Sequence, residues 1–226
     1  MNWNDIVNNT PKLSHGYHNS FGPELCFMEM TAFLAGEDHS DRPRCASPVL
    51  TSFGIRLNDS GQPFRDALAP LVVDMIGTAN PALERERLEY LIFNVSKRIV
   101  APLIERRVSV ELAQKILDCQ TLEEINAVMK ECRGAAAYAT AAAYAADAAD
   151  VADVADGAYA AARAANAAAA DAAANAADAA DAATANADDV PELAAQILSE
   201  AIRLDPKWQQ AQINPERVEV LAGMAQ

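Results

Sequence analysis

The sequence predicts an all-α protein, and three observations lead to that prediction. Prolines repeatedly follow a turn or capping residue, as they do at the first position of a helix, where the missing N–H costs no hydrogen bond. The region 134–189 contains 34 alanines in 56 residues, and alanine is the best intrinsic helix former. Finally, no segment shows a hairpin turn signal or a sustained alternation of β-branched residues.

Start and stop signals place the individual helices. Proline marks six predicted helix starts, at Pro23, Pro48, Pro63, Pro81, Pro206 and Pro215. Thr121 and Glu124 form a capping box for a further helix, and Gly36 and Gly134 are placed to end two helices. The resulting N-terminal helices lie near 23–35, 48–58, 63–76, 81–106, 110–118 and 122–133.

The segment 81–106 has the clearest helical periodicity. Apolar residues recur there at spacings of three and four and define one stripe, formed by Leu88, Leu91, Ile92, Val95, Ile99 and Leu103. Pro102 falls within this pattern, so we expect the helix to bend near its end.

Composition divides the chain into three regions. Residues 1–133 have the apolar content of a helical core domain. In the alanine- and aspartate-rich region 134–189, Gly157 interrupts the helical pattern and favours a helical hairpin, although one long helix or a solvated acidic linker remains an alternative. In 190–226, an amphipathic helix near 191–203 and a shorter one from Pro215 are expected to pack back on the core.

The alanine-rich region is also acidic, with nine aspartates and one arginine, and it supplies most of the formal net charge of −14. Such a single-sign surface attracts a basic protein partner and disfavours direct binding to nucleic acid. Seven of its aspartates are the predicted partner-binding residues: Asp147, Asp150, Asp153, Asp156, Asp171, Asp178 and Asp181.

Other features favour a cytoplasmic protein that does not enter a membrane. Aspartates interrupt the alanine run every few residues, so no segment has the composition of a membrane span. The first residues lack the basic and apolar regions of a secretory signal. The four cysteines form no closely spaced pair and are expected to be free thiols, namely Cys26, Cys45, Cys119 and Cys132.

One cluster near the N-terminus contains residue types that bind zinc. Its members lie within 31 residues and are His15, His18, Cys26, His39 and Cys45. Zinc needs four such ligands in a tetrahedron, but the two cysteines are 19 residues apart and match no standard zinc-binding spacing. We therefore favour buried cysteines and loop histidines, with no cofactor, and keep zinc as the alternative.

A second cluster combines acid, base and nucleophile candidates: Glu29, His39, Ser40 and Asp41. Glu29 falls on an otherwise apolar helix face, where a carboxylate is either functional or paired. The interpretation that we favour is that Glu29 pairs with Arg42 or Arg44 and fixes the loop that follows. The tandem order of His39, Ser40 and Asp41 is weak evidence for a catalytic triad, since triads assemble in space.

The segment between Cys26 and Asp59 contains Cys26-Phe-Met-Glu29, Leu34-Ala-Gly-Glu37, Ser40-Asp41, Pro43, Cys45, Pro48-Val49 and Asn58-Asp59. These motifs resemble a block, C-x-M-E…L-A-G-E-x-x-S-D-x-P-x-C…P-V…N-D, of a group of uncharacterised proteins of bacteria and their phages. In that group a helical region and an alanine-rich repeat follow the block. The resemblance covers about residues 20–190, but the repeat of this chain has no tryptophan and little arginine. It implies an architecture and a phage or bacterial origin, and no activity.

Three hypotheses of function follow. The first is a non-enzymatic, acidic helical interaction protein, in its concrete form a phage-encoded inhibitor that engages a basic surface of a host protein. The second is a metal- or small-ligand-binding protein or enzyme that uses the cluster of Cys, Glu, His and Asp residues at 26–45. The third is an oligomeric assembly protein with the alanine-rich region as its seam.

Overall fold

The computed structural model describes residues 10–142 and 189–224, and all regular elements among them are helices joined by loops, which confirms the all-α prediction. The helices are α1 (Phe27–Ala35), α2 (Pro48–Ser60), α3 (Gln62–Leu68), α4 (Glu84–Asn94), α5 (Ala101–Arg107), α6 (Val110–Asp118), α7 (Leu122–Ala142), α8 (Val190–Ile202) and α9 (Pro215–Met224). The predicted hairpin, its break at Gly157 and the seven partner-binding aspartates lie outside the described residues. In the part that is described, no helix is both long and apolar enough to cross a membrane.

Several helix boundaries follow the sequence signals closely. Ser47 caps α2 by accepting a hydrogen bond from the Leu50 N–H, and Pro48 occupies its first position. Gly36 ends α1 with φ at 81°, a left-handed conformation that favours glycine. The start of α1 differs from the prediction, because the helix begins at Phe27 and not at Pro23.

The long helical segment that begins at Pro81 changes its helix type along its length. It begins with a 3₁₀ turn (Pro81–Leu83), continues as α4, widens into a π-helix (Val95–Val100) and ends as α5. The π-helix directly precedes Ala101 and Pro102, and the Ala101 N–H reaches back five residues to the Ser96 carbonyl. Proline lacks an N–H and clashes with the carbonyl four residues earlier, so a widened turn is a physical alternative to a sharp kink.

Two other helices also differ from their predicted extents. The segment that begins at Gln62 leaves α-geometry after Leu68, where a 3₁₀ turn carries Pro70 (Ala69–Leu71). Helix α7 continues past Gly134 to Ala142, so this glycine does not end the helix as expected.

Helix α8, which follows the alanine-rich region, lies at the centre of the core. It contacts α2, α3, α4 and the π-helix, and Ile197, Leu198 and Ile202 are fully buried. Gly54 of α2 allows the close packing of this layer, since a Cβ built there would lie 2.7 Å from the Phe27 ring and 3.9 Å from Leu198. The fold of the N-terminal region therefore depends on a helix that is distant in sequence.

The C-terminal segment after α8 is fixed by the buried carboxylate of Asp74. Gln210 donates a hydrogen bond of 2.6 Å to Asp74 Oδ1, and Arg203 lies 3.2 Å from Oδ2. Trp208 donates to the Asp74 carbonyl and stacks against the Arg203 guanidinium. Further on, Arg217 of α9 stacks on Phe33 of α1. These contacts bring the end of the described chain back to its first helix.

Candidate functional site

The first candidate site is centred on Glu29, whose carboxylate is fully buried at the start of α1. Its Oε2 accepts hydrogen bonds from the Cys26 N–H at 2.8 Å and from His18 Nδ1 at 2.7 Å. Its Oε1 accepts one from the His18 N–H at 2.7 Å. Cys26, in turn, accepts the Glu29 N–H on its Sγ, so the two residues form a capping box. We call the group of His18, Cys26, Glu29 and His39 the Glu29 cluster.

His39 completes this cluster from the opposite side. Its Nε2 lies 3.3 Å from Glu29 Oε1 but is not aligned for a hydrogen bond. The rings of Tyr17 and Phe21 hold the imidazole edge-on, with centroid distances of 5.5 and 5.0 Å. The expected pairing of Glu29 with Arg42 or Arg44 is therefore wrong: histidines occupy that position, and Arg42 donates to Ser52.

The hydrogen bonds to Glu29 favour its ionised form. Burial by itself raises the pKa of a carboxyl group, but the N–H groups of Cys26 and His18 and the His18 ring outweigh this effect, so the pKa of Glu29 lies below its ordinary value. A catalytic acid needs the opposite shift, and a base needs free lone pairs. The geometry of Glu29 is that of a structural anion that orders the chain before α1.

Three of the candidate zinc ligands, His18, Cys26 and His39, lie around Glu29, but they are not arranged as a metal site. Among residues 10–142 and 189–224, no three His, Cys, Asp or Glu side chains are arranged to hold a metal ion. Burial raises the pKa of the Cys26 thiol to about 12 and that of Cys45 to about 11. His15 is exposed, and His18 is bonded directly to Glu29.

The remaining predicted catalytic residues belong to the loop between α1 and α2. The Ser40 Oγ accepts a hydrogen bond from the Arg42 N–H at 2.9 Å. Within the described residues, neither Ser40 nor Asp41 has a hydrogen bond or an ion pair with His39. Glu37 binds this loop through the N–H groups of Arg44 and Cys45, at 2.7 and 2.8 Å. The structure thus brings Glu29 and His39 together and leaves Ser40 and Asp41 apart from them.

Asn58 and Asp59 extend the same pattern to the end of α2. The buried Asn58 side chain accepts the Phe27 N–H and donates to the Ser14 carbonyl. Asp59 accepts the Gly16 N–H at 3.0 Å. The side chains of Glu29, Glu37, Asn58 and Asp59 therefore all bind backbone groups of the loops around α1, which gives these four residues of the block a structural role.

A second candidate site was missed by the sequence reasoning. A cavity of about 480 Å³ opens between the 42–46 loop, the first turns of α2 and the 79–84 turn. Its apolar walls come from small or rigid side chains, namely Pro43, Ala46, Pro48, Ala79 and Pro81. Its polar lining comes from Arg42, Arg44, Thr51, Asn80 and Glu84. We call this cavity the arginine pocket.

The acidic member of the arginine pocket is already paired. Glu84 Oε2 accepts hydrogen bonds from the Ser47 hydroxyl at 2.7 Å and from the Val49 N–H at 3.1 Å. Glu84 Oε1 lies 3.3 Å from Nη1 of Arg87, a fully buried cation. Because a helix N-terminus carries partial positive charge, Glu84 is a favourable counter-charge for the start of α2. The negative charge of this wall is thus compensated from within.

Comparison with known proteins adds no assignment to these two sites. No family description, no curated protein and no solved structure matches the chain.

Proposed function

We propose that this protein is a non-enzymatic interaction protein whose acidic, alanine-rich region binds a basic surface on another protein. The observation that carries the proposal is that the helices on both sides of this region are anchored in one core. On the N-terminal side, Ile125, Met129 and Cys132 of α7 are fully buried. On the other side, α8 is the central core helix, and both α7 and α8 pack against α4.

Because the helices on both sides of the alanine-rich region are anchored in the core, the positions of its two ends are fixed, unlike the end of a free tail. The region supplies nine aspartates against one arginine, which gives it −8 of the formal net charge of −14. A dense field of one sign accelerates encounter with an oppositely charged partner, and salt screens this attraction. Anchoring both ends limits the conformational entropy that the region would lose on binding.

The concrete form of the proposal is an inhibitor, encoded by a phage and acting in the host cytoplasm, that occupies a basic groove on a host protein. The resemblance of the 26–59 block to proteins of bacteria and their phages supports this origin. The Glu29 carboxylate also supports a non-enzymatic protein, because both of its oxygens accept hydrogen bonds from backbone N–H groups.

The test compares the wild type with a variant in which seven aspartates are replaced by asparagine. The substituted residues are Asp147, Asp150, Asp153, Asp156, Asp171, Asp178 and Asp181. Asparagine keeps the size of the side chain and removes its charge. Each tagged protein is used to capture partners from bacterial lysate, and recovered proteins are then titrated individually at several salt concentrations. We expect the wild type alone to recover basic proteins, with affinities that fall as salt rises.

Equal recovery by the two proteins, or a partner whose affinity is indifferent to salt, would contradict the proposal. Light scattering on the same pair separates it from self-association, because a seam formed by the region would change the subunit number of the wild type relative to the variant.

A further inference from the structure

The arginine pocket contains polar groups that the fold itself does not use. The Thr51 side chain is 2% exposed, lines the cavity, and its Oγ1 has no hydrogen-bond partner in the part of the chain that is described. Buried hydroxyls are normally hydrogen-bonded, and leaving one without a partner is costly. Thr51 therefore contributes to the wall of the cavity, but its hydroxyl oxygen is itself buried and does not open onto the cavity surface.

The two arginines add available positive charge to the same cavity. Arg42 uses one nitrogen, Nη1, in a 3.3 Å hydrogen bond to Ser52, which leaves most of its donors free. The Arg44 guanidinium has no side-chain partner within 10–142 and 189–224. Both belong to a loop whose backbone is bound by Ser40 and Glu37, so their main-chain positions are fixed before any ligand arrives.

The other polar groups of the pocket are occupied. Asn80 donates to Asp205 at 2.9 Å and accepts the Ala82 N–H. Glu84 is compensated by Ser47, Val49 and Arg87 as described above. The uncompensated charge of the lining is therefore that of two guanidinium groups, placed around walls of proline and alanine.

We propose that the arginine pocket binds a small organic anion, an apolar body that carries one carboxylate or phosphate group. The guanidinium groups of Arg42 and Arg44 bind the oxyanion, for which their planar donor pairs are suited. The apolar body packs between the prolines and alanines of the lining. The cavity volume falls within the range of ligand pockets, which are mostly apolar with a few polar groups that set orientation.

Three probes of one shape test the charge requirement on the full-length protein. They are 2-naphthoate, 2-naphthyl phosphate and the neutral 2-naphthalenemethanol. Binding is followed by the amide chemical shifts of Ala46, Thr51 and Ala79 in heteronuclear NMR spectra. We expect at least one anion to saturate these shifts and the alcohol to bind about tenfold more weakly or not at all. The better of the two anions identifies the oxyanion class.

Two variants and a control test the site. Arg44→Gln removes one exposed guanidinium and should weaken anion binding about tenfold, as loss of a charge-assisted hydrogen bond does. Ala79→Phe places a ring in the cavity from an exposed position and should abolish binding. Arg106→Gln, on the exposed surface of α5, removes the same charge elsewhere and should leave binding unchanged.

The proposal is overturned if neither anion shifts these amides, if the alcohol binds as well as the anions, or if Arg44→Gln and Arg106→Gln behave alike. Spectra of each variant without probe establish that it is folded. The experiment is independent of the proposed role of the acidic region, since the seven-aspartate variant keeps the whole pocket.

Discussion

The Glu29 cluster and the arginine pocket both take residues from the loop between α1 and α2, and they differ in what their polar atoms do. In the Glu29 cluster, the buried carboxylate receives three hydrogen bonds, two of them from backbone N–H groups. In the arginine pocket, a buried hydroxyl and a guanidinium have no partner within the described residues. The Glu29 carboxylate maintains the fold, and the exposed guanidinium groups of the pocket have capacity left for a ligand.

This difference is informative because residue type alone points the other way. Glu, His and Cys are the residues that suggest catalysis or metal binding, whereas Arg, Pro and Thr in a loop suggest nothing specific. What separates the two sites is that the Glu29 carboxylate is fully hydrogen-bonded, whereas the arginine side chains keep most of their donors free. The comparison is therefore tested by variants that lower the free energy of unfolding without changing anion binding, or that weaken anion binding without changing the free energy of unfolding.

The largest effect is expected for Glu29→Ala. The substitution leaves the N–H groups of Cys26 and His18 without an acceptor and places a cavity under α1. Removing one partner of a buried charged network costs about 3–5 kcal/mol of the free energy of unfolding. Chemical denaturation measures this loss, and Glu24→Ala, at an exposed position, is the control. If the two variants were equally stable, the structural role of Glu29 would be refuted.

The same carboxylate should make stability depend on acid pH. The pKa of Glu29 is lower in the folded protein than its ordinary value of 4.5, so its contribution is fully present above that value. The contribution is lost as pH falls through the lower, folded-state pKa. Thermal unfolding of the wild type and Glu29→Gln between about pH 7 and about pH 3 should show their difference shrinking with acid. A difference that stays constant with pH would assign the effect to packing instead.

A smaller loss of stability is expected for Gly54→Ala on α2. Its Cβ would lie 2.7 Å from the fully buried Phe27 ring, and overpacking of this kind costs about 1–3 kcal/mol, more than alanine gains in helix propensity. Gly223→Ala on α9, where nothing lies within 4 Å, should be neutral or slightly stabilising. Because Gly54 faces Phe27 and Leu198 and does not line the arginine pocket, anion binding should be unchanged.

The sequence predicted most of the helices because their signals are local. Ser47 and Pro48 start α2, and Gly36 ends α1, through interactions within a few residues. Cys26 was not recognised as a cap because cysteine is not among the usual N-cap residues, although Glu29 stands at the position of a capping box. Pro102 predicted only a bend and not the π-helix that precedes it. A proline shows that a regular α-helix is disfavoured at that point, but not whether the chain kinks or widens its turn.

The sites were less predictable because they depend on contacts distant in sequence. The periodicity of α8 gave its helix but not its central place among α2, α3 and α4. The arginine pocket joins the 42–46 loop to the 79–84 turn, more than 30 residues apart, and no periodic pattern connects them. His39 was selected as a catalytic candidate, but its aromatic neighbours Tyr17 and Phe21 precede α1 and could not be placed beside it.

Two buried threonines give the smallest effect and the sharpest comparison. Thr31 of α1 donates to the carbonyls of Phe27 at 2.9 Å and Val72 at 3.1 Å, whereas the Thr51 hydroxyl has no partner in the described residues.

Valine has the same shape without the hydroxyl, so Thr31→Val should cost about 1 kcal/mol of unfolding free energy and leave a buried carbonyl with one partner fewer. Thr51→Val should cost nothing or stabilise the fold slightly, because it removes an unsatisfied group. Neither variant should change anion binding, because the Thr51 hydroxyl is buried beneath the wall of the pocket and Thr31 does not line it. Denaturation and NMR titration of the two variants measure both quantities. Equal losses of stability would mean that the Thr51 hydroxyl already serves the fold, and the contrast between the two sites would fail at its most direct point.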